Sequence, residues 1–196
     1  MRGKFTQYPA EFWKDVQLNA GIIVTGFDPT DGSYTGILGA TGDGIQFTPN
    51  PSFEDFGADI DNVPPNTKQL KRIQYYDPAL SGTFKTMTAA LAAQLCPGSN
   101  GSGVITPADT LTDAMFVDVT LIADYSDVNK DVSTTTKAGW MAITIMDALN
   151  TNGYNWKTNK DGKGEFAFDF HGHYDLESPD DPPFKIYVTD PVVPTT

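Results

Sequence analysis

The stretch GEFAFDFHGHYDL, residues 164–176, alternates almost without interruption. Phe166, Phe168, Phe170, Gly172, Tyr174 and Leu176 share one parity, and Glu165, Ala167, Asp169, His171, His173 and Asp175 share the other. Successive side chains of a strand leave opposite faces, so this segment is expected to be a strand with one aromatic and one polar side. Burying such an apolar side chain is worth about 1.5–3 kcal/mol. Turning the strand over would bury several charges at a much larger cost. The aromatic row is therefore expected to face a core and the polar row to face water.

Further segments carry strand periodicity: VQLNAGIIVTGF (16–27), KQLKRIQYY (68–76), FVDVTLIAD (116–124) and KIYVT (185–189). In the third, Val117, Val119, Leu121 and Ala123 fall on one face. The run AGWMAITIMDAL (138–149) is apolar on both faces, as a central strand would be, and its β-branched Ile143–Thr144–Ile145 core favours strand over helix. One segment reads as a helix, TMTAALAAQL (86–95), with Met87, Leu91 and Leu95 at helical spacing. Thr86 is placed to cap its start and Pro97-Gly98 to end it. These elements predict a mainly β chain of the α+β kind: an antiparallel β-sandwich or barrel with one flanking α-helix. With 196 residues, 39% of them hydrophobic, a single domain with a real core is expected over 1–196.

Residues 39–67, GATGDGIQFTPNPSFEDFGADIDNVPPNT, show no regular period and read as a long loop. Loops of this length are unusual in a compact domain unless they do something, and this one carries Ile45, Phe47, Phe53, Phe56 and Ile60. It is expected to pack on its own domain or on a neighbour. CPGSNGSGVITP (96–107) reads as a flexible connector. Residues of about 1–15 form an N-terminal arm, and the proline-broken tail of about 189–196 is short enough to lie on another subunit.

The net charge of −12 argues against a protein that grips nucleic acid or docks on anionic lipid, since both need a basic surface. The N-terminus lacks the apolar run of a secretion signal, and no stretch approaches the roughly 20 apolar residues that span a bilayer. The lone Cys96, at the end of an apolar segment, reads as a small core residue. Synthesis and folding in a reducing cytoplasm follow as the expectation.

Chemistry is sparse. His171 and His173 leave the same face of a strand and, with Asp169 or Asp175, form the strongest metal-site candidate. The aromatic register explains that polar face without a metal, so the solvated face is preferred. NKDGKGEF begins like a calcium loop, but Lys163 stands where a ligand oxygen is needed and Phe170 where the closing carboxylate should be. A turn is preferred there, with Asn152-Gly153 and Asp161-Gly162 supplying positive-φ positions. GILGATGDG lacks the lysine and the helix of a phosphate loop. Asp59, Asp61 and Asn62 read as a turn cluster rather than a cation site. No catalytic, cofactor or metal residues are therefore assigned, and no enzymatic activity is expected.

The order of segments carries a resemblance. LNAGIIVTGFDPTDG (18–32), GILGATGDGIQFTPNPSFEDFGADIDNVPPNTKQLKRI (36–73), SGTFKTMTAALAAQL (81–95), KGEFAFDFHGHYDL (163–176) and DDPPFKIYV (180–188) follow one another in a succession that resembles the major tail proteins, or tail tube proteins, of siphophages. The resemblance covers most of the chain through diffuse motifs. It implies a β-sandwich with one flanking helix, assembled as homohexameric rings stacked into a tube in the virion tail. DNA passes through the bore without specific binding, and a tape measure protein and a tail terminator are the implied partners. Phe47, Phe53 and Phe56 are then candidate contacts between rings. Glu165 and Asp169 are candidate lumen-facing residues, where negative charge would repel DNA phosphates; the alternative is that this face meets outside solvent. A rival reading is a β-sandwich module binding carbohydrate or a host surface, with Trp13, Trp140 and Trp156 as stacking platforms.

Overall fold

The computed structural model describes residues 16–17, 20–101, 103–124 and 139–189. Strands form where β-branched and aromatic residues concentrate, and turns form at glycine, proline, asparagine and aspartate. In chain order they are β1 (Ile22–Thr25), β2 (Gly36–Gly39), β3 (Thr41–Thr48), β4 (Pro51–Asp55), β5 (Lys71–Tyr76) and β6 (Ala79–Phe84). Helix α1 (Ala89–Leu95) follows, and then β7 (Gly98–Gly101), β8 (Val104–Pro107), β9 (Val117–Asp124), β10 (Trp140–Asn150), β11 (Asn155–Lys157), β12 (Glu165–His171) and β13 (Phe184–Thr189). The expectations for 68–76, 116–124, 138–149 and 185–189 agree with β5, β9, β10 and β13 to within a few residues. Among the described residues of 16–27, Ile22–Thr25 form the regular strand.

The chain is mainly β, and the strands β1–β13 pair antiparallel. The main sheet runs β2-β1-β9-β10-β12-β6-β3, with β11 added to β12 and β13 to β10. Its path begins at β2 and ends at β3, which do not pair with each other, so the sheet is open and the barrel alternative does not hold.

Strand β10 joins the two halves of this sheet. Its first part lies between β9 and β13, with Ile143 opposite Leu121 on one side and Ile186 on the other. The register against β9 then shifts between Ile145 and Ala148, and Asp147 adopts a φ of 47°. Such a bulge bends a strand and increases its twist, which is how one strand turns a corner between sheets. Beyond the bulge Leu149 and Asn150 pair with His171 and Phe170 of β12. The Asp147 amide, displaced from the ladder, donates to Asp118 Oδ1 at 3.0 Å.

Both halves contribute to one core. Ile23, Val119 and Ile145 come from the first half, and Leu80, Phe84, Phe168 and Phe170 from the second, with Leu91 and Leu95 of α1. Phe168 is its hub, with ring centroids 4.5 Å from Phe84 and 5.5 Å from Phe170. Opposite Phe168 the chain has Gly82, where a Cβ would sit 2.9 Å from the phenyl ring, so glycine there makes room for the aromatic. The aromatic parity expected of 164–171 is thus the inward one. It ends with the strand: past His171 the chain turns, leaving Tyr174 exposed and Leu176 95% exposed, contrary to the inward positions expected for them.

The buried polar residues Thr120 and Asn150 are paired, whereas Gln94 on α1 leaves its buried Oε1 without a hydrogen-bond partner. Thr120 and Thr144 share a hydroxyl hydrogen bond of 2.8 Å across β9 and β10. Buried Asn150 donates from Nδ2 to Leu95 O and Gly153 O, and its Oδ1 accepts from the Asp169 amide, all at 2.8 Å. One side chain therefore ties the end of α1, the turn at Gly153 and strand β12 together. Gly153 has the expected positive φ of 68°, whereas Gly162 is not among the positive-φ glycines.

Helix α1 begins later than expected. Thr88, not Thr86, is its N-cap, accepting a hydrogen bond from the Leu91 amide at 3.1 Å. Thr86 instead accepts from the Ala40 amide at 2.9 Å, pinning the approach to the helix against the β2–β3 junction. Replacing a capping threonine with alanine costs about 1 kcal/mol. Thr88→Ala is accordingly expected to lower stability by about that much in denaturant unfolding, with an unchanged slope.

Two regions expected to be irregular are strands. Residues 96–107 contain the hairpin β7–β8 rather than a plain connector. Residues 39–67 are not one loop: they hold β3, an edge strand of the main sheet, and β4, which pairs with β5. The arm at 1–15 and the tail at 190–196, with Trp13, lie outside the described residues.

Candidate functional site

Strands β3, β4, β5 and β6 are a single long hairpin with a break in the middle. Its proximal half, β3 and β6, is part of the main sheet, and its distal half, β4 and β5, pairs only with itself. The distal ribbon is nearly all solvent-facing, and it carries Phe53 (54% exposed), Phe56 (47%), Ile60, Ile73 and Tyr75. Phe53 lies opposite Ile73. Lys71 Nζ stands 5.3 Å from the Phe53 ring centroid, and the Arg72 guanidinium stands 5.2 Å from that of Phe56. The cations cover part of each ring, so the ribbon presents aromatic surface under positive charge on a chain that is strongly acidic elsewhere.

The ribbon's tip is organised by Asp55, a residue the sequence reading did not single out. Its Oδ1 accepts from the Gly57 amide at 3.0 Å and its Oδ2 from the Asn66 amide at 2.8 Å, closing the loop between them. These two amides hold the Asp55 carboxyl below its usual range, the Asn66 bond being the larger influence. Aspartate two residues before glycine is the signal that was available, because such a side chain readily caps the backbone just after it. Asp59, Asp61 and Asn62 lie on the exposed turn within this loop.

Of the three aromatics expected to face a neighbour, Phe53 and Phe56 are exposed on the ribbon. Phe47 belongs to β3, packs on the core and lies 5.5 Å from the Phe184 ring. Its parity within the sheet claims it for the subunit's own interior.

Glu165 and Asp169 occupy the outer face of β12, but that face is half-buried and paired rather than freely solvated. Glu165 is 2.8 Å from Lys85 Nζ and 3.9 Å from Lys157 Nζ, and Lys85 also reaches Asp43 at 3.2 Å. The Lys85 hydrogen bond holds the Glu165 carboxyl low, and the same bond raises Lys85. Asp169 Oδ2 lies 3.4 Å from His171 Nε2.

The two histidines do not converge. His171 Nδ1 is 2.7 Å from Asp77 Oδ1, while His173 Nδ1 is 2.9 Å from the Asp147 carbonyl and its ring meets Phe116 edge-on at 5.1 Å. Asp147 is pushed upward, first by burial and then by the charges of Asp118 and Asp175. Among the described residues no group of three or more histidine, cysteine or acidic side chains is arranged to hold a metal ion, and no helix is long and apolar enough to cross a membrane.

Of the tryptophans, Trp140 stands edge-on against Phe27 at 5.5 Å. Trp156 stacks one face on Phe166 at 6.1 Å and is 63% exposed, with Tyr154 beside the same phenyl ring. No protein-family model matches this chain. No curated protein matches it either.

Proposed function

We propose that the chain is a non-enzymatic structural subunit of a phage tail tube, self-assembling as stacked hexameric rings around a bore through which DNA leaves the capsid. The carrying observation is the hairpin that begins in the main sheet and ends as a projecting ribbon with Phe53, Phe56, Ile60, Ile73 and Tyr75 in solvent. An apolar patch of this kind marks a surface that meets another molecule. In the tube reading that molecule is the next copy of the same chain, and Phe53 and Phe56 are the contacts between rings. The order of sequence motifs, the mainly β fold with one helix and the net charge of −12 support the same reading. Glu165 and Asp169 are the proposed lumen-facing pair. With Lys85 and Lys157 on Glu165, this face would line the bore with mixed rather than uniformly negative charge. A tape measure protein and a tail terminator are the further partners this reading calls for, and the virion tail its location.

A second reading rests on Trp156. Its outward indole face, backed by Phe166 and flanked by Tyr154, is a platform on which a sugar ring can stack, as in a carbohydrate-binding module. Negative-stain electron microscopy of the purified chain separates the two. Rings or tubes are the expected result; discrete small particles at high protein concentration that bind a glycan array would replace the tube reading with the second.

A further inference from the structure

The ribbon joins the body at a neck. Thr48 pairs with Ala79, and the next pair is Pro51 with Tyr76, so residues 49–50 and 77–78 interrupt the ladder. Pro49 and Pro78 lie in the gap and Pro51 borders it, none of them able to donate a backbone hydrogen bond, and Asn50 sits at a φ of 40°. Within the neck the Asp77 amide donates to Asn50 O at 3.3 Å, and Asn50 Nδ2 donates to Asp77 O at 3.0 Å.

The body grips this neck through the end of β12. The Gly172 amide donates to Pro78 O at 3.0 Å, and the Tyr76 amide donates to the Tyr174 hydroxyl at 2.9 Å. A further grip is the imidazole of His171, which stands between two carboxylates: Asp77 Oδ1 at 2.7 Å from Nδ1 and Asp169 Oδ2 at 3.4 Å from Nε2. Asp77 approaches from the neck and Asp169 from the ring's own strand. The cross-strand neighbours, Ala79 on β6 and Leu149 on β10, are uncharged.

A neutral imidazole has one N–H and serves one of these carboxylates; the protonated ring has two and serves both. The geometry points to a proton-operated clamp, in which His171 fixes the ribbon against the sheet through Asp77 and Asp169 when protonated and loosens the neck when neutral. Loss of the proton leaves one carboxylate facing a ring lone pair and removes the cation that screened the two carboxylates from each other.

Burial alone would push the His171 imidazole down, but the Asp77 hydrogen bond and the charges of Asp169 and Asp77 outweigh it, and the group titrates above its ordinary value. A raised value means that the stabilisation is complete below the ordinary imidazole value of about 6.5 and disappears as pH rises through the raised one. The clamp is therefore closed at mildly acidic pH and opens on the alkaline side. This property belongs to the single subunit and stands whether or not the subunit polymerises.

Amide hydrogen exchange on the soluble subunit, corrected for the intrinsic pH dependence of exchange, tests it with β9 and β10 as internal references. Protection of residues 50–77 is expected to fall several-fold between about pH 6 and about pH 8.5 while the reference strands hold steady. His171→Gln is expected to show the low protection at both pH values. Equal protection of the wild-type ribbon at both ends of the range, or a wild-type drop that survives in His171→Gln, overturns the clamp. Should His171→Gln fail to fold, Asp77→Asn serves instead: a smaller drop displaced to lower pH supports the clamp, and an unchanged drop overturns it.

Discussion

Joining Asn50 to Asp77 through a two-residue Asn-Gly turn, in place of residues 51–76, is expected, on the tube reading proposed above, to abolish assembly while leaving a folded chain. The Asp77 amide already donates to Asn50 O, which is the closing hydrogen bond of a four-residue turn, so the shortened chain needs no new geometry at its ends. Asn-Gly is the pair best suited to turning an antiparallel hairpin. None of the buried core residues lies between 51 and 76, and the packing given up is the edge-on contact of the Tyr76 ring with Phe184 at 5.2 Å. What disappears is the exposed surface around Phe53, Phe56 and Ile73, whose burial between copies must exceed the entropy lost on ordering the contact. The measurement pairs a cooperative thermal transition with negative-stain images. If the shortened chain forms tubes as the intact one does, the ribbon is not the connector.

The second large effect is on stability. Phe168→Ala removes the hub of the aromatic cluster and leaves a cavity beside Gly82, a position with no side chain to collapse into it. Large-to-small changes of a buried phenylalanine cost about 3–5 kcal/mol, a substantial part of the 5–15 kcal/mol typical of a domain. Phe53→Ala on the ribbon is expected to stay within about 0.5 kcal/mol in the isolated subunit, since surface positions outside special features are nearly neutral. Urea unfolding of both variants checks the contrast. Similar midpoints for the two would mean that the parity argument for β12 is wrong.

That parity argument shows how far the sequence carries. Alternation works where a strand keeps one face on a core, so β9 and β12 were legible from their apolar rows, whereas β10, apolar on both faces, was legible from its β-branched run. It fails where backbone geometry interrupts it. Strand β3 was missed because Asp43 and Gly44 adopt φ values of 63° and 84°, shifting the register against β6 and scrambling the period within Thr41–Thr48. The same blindness hid β7–β8, whose glycine and serine content reads as linker although the backbone pairs. Beyond His171 the reverse error occurred, since the pattern continues in sequence after the strand has ended. The ribbon was half legible: its aromatics announced an exposed surface, but only pairing between β4 and β5 distinguishes a stiff hairpin from a loose arm. The His171 clamp was not legible at all, because Asp77 lies far away in the chain and meets the ring only through the pairing of β12 with β6.

The position of β1 has a consequence for biosynthesis. Its two neighbours in the sheet are β2, close by in sequence, and β9, reached only after most of the chain has been made. Until β9 leaves the ribosome, β1 lacks the strand that pairs with one of its edges, and the nascent N-terminal half must wait with adhesive backbone uncovered. Closing such distant pairs late makes for slow maturation and a window in which newly made copies can stick to one another in the wrong way.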